Sequence, residues 1–440
     1  MSSLSRTLSI ALLLTWPGYW LRAQQSAQLI SELDSIHRAI LSTACANQQI
    51  ISNRAMNLYL SDRIGSYLAD YKNLSFYKNY VTFNTRDGVF SLNHNFFQAS
   101  GIDEPVRSFL VVGIKANVMN ALASTFTDKP FANELGATLK KAWIGKPKTT
   151  ITTCREKNLM DMKRASIVNL LKREIENKEA DFIQSIDSLN QEGLSDSTLA
   201  QIKAELNQHF YADLWDEFSR KFASLQYLEL AETARYKQIT THWTTLNAYL
   251  PIILQRFTVA NSYTQPTETK KNYPFELSLV HTRFWESKKM GRLFLSLEGR
   301  IGLNNSIQSF SRETISYSQY KSLGGLDTLT LKQRAIQSLY IGDYTSFLTP
   351  TAKISFVYYP AESHIGLSSS LEQNLGSYHA LNWVIGIPVV LIDKAGAPSA
   401  NFEFQLNYFD VNHSILPGRR ATDRLSVSLT VAVPFSKIIY

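Results

Sequence analysis

The chain has 440 residues, of which 44% are apolar and 19% charged, a balance that excludes both a disordered chain and a helical inner-membrane protein and leaves room for more than one domain. The net charge of +8 invites a nucleic-acid reading. However, Lys and Arg are scattered and form no compact basic block interleaved with aromatics, so nucleic acid is excluded as a partner.

Residues 1–23 read as a cleavable secretory signal. Arg6 supplies the positive charge, Thr7 to Leu14 a short apolar run, and Leu21-Arg22-Ala23 a small residue before Gln24. Pro17 and Gly18 interrupt the run, which is too short for the ~20 residues of a spanning helix. No later stretch reaches ~18 consecutive apolar residues, so no downstream helix is expected to span a membrane. Export permits a disulfide between the two cysteines, Cys45 and Cys154, and the sequence leaves their pairing open.

Residues 24–75 form an N-terminal helical segment, periplasmic or acting as a plug. Leu29, Ile30, Leu33, Ile36, Ile40 and Leu41 recur at helical spacing, and a second such stretch runs from Ile50 to Leu68. Residues 76–146 are strand-rich, with strands at 88–97, 105–118 and 132–145.

The segment 147–272 reads as a helical insert. Its first helix carries Leu159, Met162, Ile167, Leu170, Leu171, Ile175, Phe182, Ile186 and Leu189. After Ser195-Asp196-Ser197, a capping sequence, a second helix carries Leu199, Ile202, Leu206, Phe210, Leu214, Phe218, Phe222 and Leu225 in one stripe. A third helix is expected at 226–250, ended by Pro251. The hairpin buries its stripes on itself or on a protein partner. Glu205, His209 and Asp213 lie at i, i+4 and i+8 and read as a solvated charged face; no metal site is expected.

Residues 273–440 return to strands, at 273–285, 290–303, 350–360, 362–373, 378–392, 399–410 and 424–436. In Phe402-Glu403-Phe404-Gln405-Leu406-Asn407-Tyr408 apolar and polar residues alternate strictly, and Leu425 to Phe435 repeats the pattern. Several strands are longer than the ~5–6 residues usual in soluble sheets and near the ~9–11 that cross a bilayer. Aromatics sit at strand ends: Phe284-Trp285, Tyr358-Tyr359, Tyr378, Tyr408-Phe409 and Phe435. The turns 286–290, 360–362 and 393–398 are short and fall on one side, whereas 147–272, 304–349 and 411–423 are long and fall on the other.

On these features the chain resembles bacterial outer-membrane β-barrels as a class, and Tyr440 resembles their C-terminal aromatic. Pro434 and the phase of the last strand depart from that pattern. The resemblance covers 75–146 and 273–440 and implies an outer-membrane location in a Gram-negative cell, with lipid as a partner. The fold expected is mixed, mainly β: an antiparallel transmembrane barrel of 10 or 12 strands with an inserted helical hairpin. Twelve would require 309–317 and 328–340 to add a hairpin. The turn pattern puts both termini in the periplasm and the helical insert outside. A Cys45–Cys154 bond would instead require an N-terminal plug, or a miscounted strand and a periplasmic insert.

Alternation then assigns a lumen lined by Glu276, Ser278, Glu298, Arg300, Lys353, Glu372, Asn382, Glu403, Gln405 and Asn407. The expected function is a non-enzymatic barrel, either a narrow small-solute channel or an anchor for the helical insert. No GxSxG, HExxH, P-loop or CxxC motif is present, and no cofactor is expected. The alternatives are a soluble periplasmic β-rich binding protein and a lipid-modifying outer-membrane enzyme using His281 or His379, both read as lying in strands.

Overall fold

The computed structural model describes residues 26–41, 51–65, 74–86, 88–96, 105–117, 135–151, 154–188, 196–233, 236–262, 266–309, 311–321, 330–377, 379–393, 398–415 and 420–435. The signal segment, Cys45, Tyr378 and Tyr440 lie outside them, as does the side chain of Cys154. The chain divides into two units. A helical unit comprises Met1–Ala55 and Ile151–Arg235, and a β unit comprises Met56–Thr150 and Tyr236–Tyr440.

In the helical unit, α1 (Ser26–Leu41), α3 (Cys154–Ser188) and α4 (Asp196–Thr233) pack together. Leu29, Leu33 and Ile40 of α1 are buried, as are Val168, Leu171 and Ile175 of α3 and Leu214, Phe218 and Phe222 of α4. Far along the hairpin, Phe182 and Phe210 stack with ring centroids 3.8 Å apart. Lys178 bonds Glu217, and Lys221 bonds both Glu174 and Glu217. Glu205, His209 and Asp213 are exposed.

The β unit contains a closed antiparallel barrel of twelve strands: β1 (Asn79–Asn84), β2 (Val89–Phe96), β3 (Ser108–Asn117), β4 (Leu135–Ile144), β6 (Tyr236–Ile253), β9 (Glu276–Ser287), β10 (Gly291–Asn305), β13 (Ser346–Tyr359), β14 (Leu367–Asn374), β15 (Leu381–Ile392), β16 (Pro398–Tyr408) and β17 (Leu425–Pro434). Closure runs through β1–β17, where Tyr80 faces Pro434, and β4–β6, where Ile144 faces Trp243. Short β5 (Lys148–Ile151) extends the sheet beside β6.

Twelve strands is one of the two expected counts, but the added pair is β1 and β6. The segment expected to supply it forms β11 (Ser311–Lys321) and β12 (Thr330–Ile341). With β7 (Gln255–Ala260) and β8 (Glu268–Asn272) these make a separate four-stranded sheet around Phe257, Val259, Ile307 and Tyr340. The third helix expected at 226–250 is also corrected: α4 ends at Thr233, and 236–253 is β6. Its inward face carries Thr241, Trp243, Thr245, Asn247 and Tyr249, a mixed set in which apolar alternation is hard to see.

The extra strand moves the insert. The chain leaves β4 at Ile144 and re-enters at Tyr236, and Ile239 pairs with Glu286 beside the tight β9–β10 turn at 288–290. The helical unit is therefore spliced in at the end carrying the tight turns. β1 starts and β17 finishes at that same end, so the chain leaves the barrel for the insert at the end of the termini, whereas the turn pattern expected it to leave at the opposite end. Nor is turn length strictly alternating, because β14 and β15 are joined across the opposite end by residues 375–380 alone.

The barrel is inverted relative to a water-soluble protein. Leu92, Ile114, Leu139, Leu279, Leu297, Ile354, Ile387, Phe404 and Val427 point outward and are exposed, while Ser91, Asn93, Thr138, Asn247, Thr282, Ser296, Ser368 and Thr430 point inward and are buried. An apolar exterior around a polar interior needs lipid outside it, which is the organisation of a transmembrane β-barrel. Among the described residues no helix is long and apolar enough to cross a membrane. Of the strand-end aromatics, Trp285, Tyr358, Tyr408 and Phe435 follow the girdle expectation, but Phe284 and Tyr359 face inward and are buried.

Candidate functional site

The tight-turn end of the barrel is filled by α2 (Asn53–Gly65), whose residues from Met56 on belong to the β unit. Apolar and polar residues alternate around this helix without a favoured face, and both kinds are buried: Tyr59, Leu60 and Ile64, and equally Asn57, Ser61 and Asp62. A helix covered on every side needs partners on every side, and the inward-facing residues of the wall supply them. The Tyr59 hydroxyl shares a 2.7 Å hydrogen bond with the Tyr236 hydroxyl and donates to Glu286 Oε2 at 3.0 Å. Arg63 Nε lies 3.2 Å from Glu286 Oε1, and its guanidinium sits 4.9 Å from the Tyr59 ring centroid. From nearly opposite in the strand order, Asn401 Nδ2 donates to the Gly65 carbonyl at 2.6 Å. The Val106 amide, just before β3, donates to Asn57 Oδ1 at 3.3 Å. Only a segment lying across the lumen can bond to walls so far apart.

An aromatic layer faces inward in the same barrel. Phe284 and Phe294 pack with centroids 4.9 Å apart, Trp243 lies 6.4 Å from Phe294, and Tyr80 and Tyr359 are fully buried. Arg292, opposite both Glu286 and Tyr359 in the register, donates to the Ser363 carbonyl at 3.0 Å and stacks over the Tyr359 ring.

Further along the strands the interior becomes more accessible and charged. Glu276, Arg300 and Glu372 are each about one-fifth exposed, and Arg300 bridges the two carboxylates at 3.7 and 3.1 Å. Lys353 lies between Glu298 and Glu372 in the pairing register. Asn382 Nδ2 donates to Glu372 at 3.4 Å, Ser368 bonds Glu403, and Ser428 donates to Gln405 at 3.1 Å while accepting from Asn407 at 2.8 Å. Ser278 accepts from Asn247 at 3.2 Å. All ten residues expected to line the lumen therefore face inward. Arg300 gathers Glu276 and Glu372, while Glu403, Gln405 and Asn407 stand apart on β16.

Several inward residues escaped the sequence reading. Lys140 is buried and donates to the Tyr80 hydroxyl at 3.2 Å, and the Lys115 ammonium lies 4.3 Å from the Tyr249 ring centroid. Alternation in β4 could have found Lys140, since Gly136, Thr138, Lys140 and Ala142 share its small and polar face. Arg63, Tyr59 and Glu286 meet only through the fold and carry no local signal.

The two histidines considered for catalysis sit elsewhere. His281 points out of the barrel, its Nδ1 2.9 Å from Thr244 Oγ1. His379 lies in the β14–β15 connection and not in a strand, and its Nδ1 is 3.2 Å from the Gly376 carbonyl oxygen. Among the described residues no group of three or more His, Cys, Asp and Glu is placed to hold a metal ion.

No protein-family model and no curated protein matches the sequence. Among solved structures, the β domain of the Bordetella autotransporter BrkA is similar at 8% identity and a TM-score of 0.26, covering 81% of this chain and 96% of that one. The Pseudomonas putida toluene transporter TodX follows at 7% identity and a TM-score of 0.24, over 79% and 69%. A loop-deletion form of OmpT, an outer membrane protein of Vibrio cholerae, gives 7% identity and a TM-score of 0.23, over 81% and 96%. Such scores carry no argument about kinship or activity. The likeness to outer-membrane β-barrels as a class stands on this chain's own geometry, twelve antiparallel strands closed on themselves, apolar outside and polar within.

Proposed function

We propose that this protein is a non-enzymatic outer-membrane β-barrel whose lumen is stoppered by α2 and whose role is to anchor the helical unit on the periplasmic side. Transmembrane barrels carry tight turns and both termini at the periplasmic face, and the insert joins the barrel at that end. The observation that carries the reading is α2, held across the lumen by the Tyr59–Glu286–Arg63 contacts. A stopper of this kind argues against a permanently open pore, and a twelve-strand barrel is in any case well below the ~16–18 strands of wide aqueous channels.

Planar-bilayer recording of the purified protein tests it. The intact chain is expected to be electrically silent, and a chain with Tyr59→Ala and Arg63→Ala together is expected to show transient openings. Steady ohmic conductance from the intact chain would overturn the anchor reading and favour the channel. The charged belt around Arg300 is the observation that supports the channel as second reading.

A further inference from the structure

On the outer wall, β4, β6 and β9 bring together a polar and cationic cluster that hydrocarbon solvates poorly. His242 pairs with Arg283 in the register and Thr244 with His281, and the two imidazole centroids are 5.7 Å apart. The Arg283 guanidinium sits 5.0 Å from the Trp285 ring centroid, and Trp143 faces Thr244 from β4. Lys288 and Lys289 in the adjoining turn are exposed. Polar and cationic groups on a lipid-facing wall are costly at the bilayer centre, whereas cations beside indoles belong at the headgroup level.

Directly against this cluster lies a groove of about 580 Å³ in the same outer wall. Leu279 and Leu297 form one side, and Ile354 and Leu371 the other, with His281 at its margin. Its floor is Gly299 opposite Ala352, and a Cβ built on Gly299 would meet nothing within 4 Å. A cationic corner contiguous with an apolar trough has the polarity of one amphipathic ligand.

We infer that this wall binds an anionic phospholipid, its phosphate at Arg283 and His242 and an acyl chain along the Gly299–Ala352 groove. The inference rests on the membrane-barrel reading above. Charge complementarity selects an anionic headgroup over a zwitterionic one, and the tight-turn end selects the periplasmic leaflet.

The test reconstitutes the full chain into mixed phosphatidylcholine–phosphatidylglycerol vesicles, re-extracts it in mild detergent and quantifies the retained lipid. Phosphatidylglycerol should be enriched over its bulk fraction. Arg283→Gln with His242→Gln should lower that enrichment about fivefold. Gly299→Leu, whose Cβ has open space and whose side chain would occupy the groove, should lower retention of both lipids. No enrichment in the intact chain, enrichment unchanged by Arg283→Gln with His242→Gln, or lipid retention unchanged by Gly299→Leu overturns the inference, as does a preference for lipid A when both lipids are offered. If the chain instead leaves vesicles on carbonate washing without detergent, the membrane-barrel reading itself has failed.

Discussion

Arg63 of α2 and Glu286 of β9 lie 223 positions apart in the sequence, yet their side chains meet at 3.2 Å inside the barrel. Tyr59 bonds the second carboxylate oxygen of Glu286, so one acid on the wall holds one turn of the stopper helix by two contacts.

Removing that acid should release the helix before it unfolds the wall. Glu286→Gln is expected to cost about 1–3 kcal/mol, because it removes the buried carboxylate that pairs with the part-buried Arg63 guanidinium and accepts from Tyr59. Tyr59→Phe should cost about 1 kcal/mol. Hydrogen exchange would read both as faster exchange of α2 amides, with the amides of β9 and β10 unchanged.

The belt around Arg300 should behave in the opposite way. Arg300→Gln leaves Glu276 and Glu372 facing one lumen without their shared cation, and is expected to destabilise the barrel by about 1–3 kcal/mol. Adding Glu372→Gln to it should recover part of the loss, measured by urea unfolding in lipid vesicles.

The two faces of β10 provide a test of the solvent outside. Leu297→Lys on the outward face is expected to cost about 2–4 kcal/mol in a bilayer. Phe294→Ala on the inward face should cost about 3–5 kcal/mol through its cavity. Were the Lys variant as stable as the parent in vesicles, the wall would not face hydrocarbon at that height.

In the helical unit, burial of His37 holds its pKa below the ordinary 6.5, with Asp161 and Asp34 pulling it up and Arg164 and Lys172 pushing it further down. The folded state thus disfavours the proton that the unfolded chain accepts. Stability contributed by neutral His37 is present above pH ~6.5 and lost as pH falls from there toward the depressed folded value. Thermal melts of the helical signal between pH 7.5 and 5 should show a falling midpoint, and His37→Gln should flatten that dependence.

The sequence by itself determined the class of this protein. Period-two alternation from Leu425 onward and in 402–408 requires one apolar and one polar face, and the inward placement of Glu276, Glu298, Arg300, Lys353 and Glu372 followed from phase alone. The helical spacing of Leu214, Phe218 and Phe222 likewise required a buried stripe. Only the tertiary structure decided how the barrel closes and what fills it. β6 carries Trp, Tyr, Thr and Asn on its inward face because those side chains lie within a mixed polar and aromatic interior, so its alternation was blurred and the strand passed for a helix. That single strand reversed the end of the barrel at which the chain departs for the helical unit. The Arg63–Glu286 pair depends on chain closure, a relation that no local window of sequence contains.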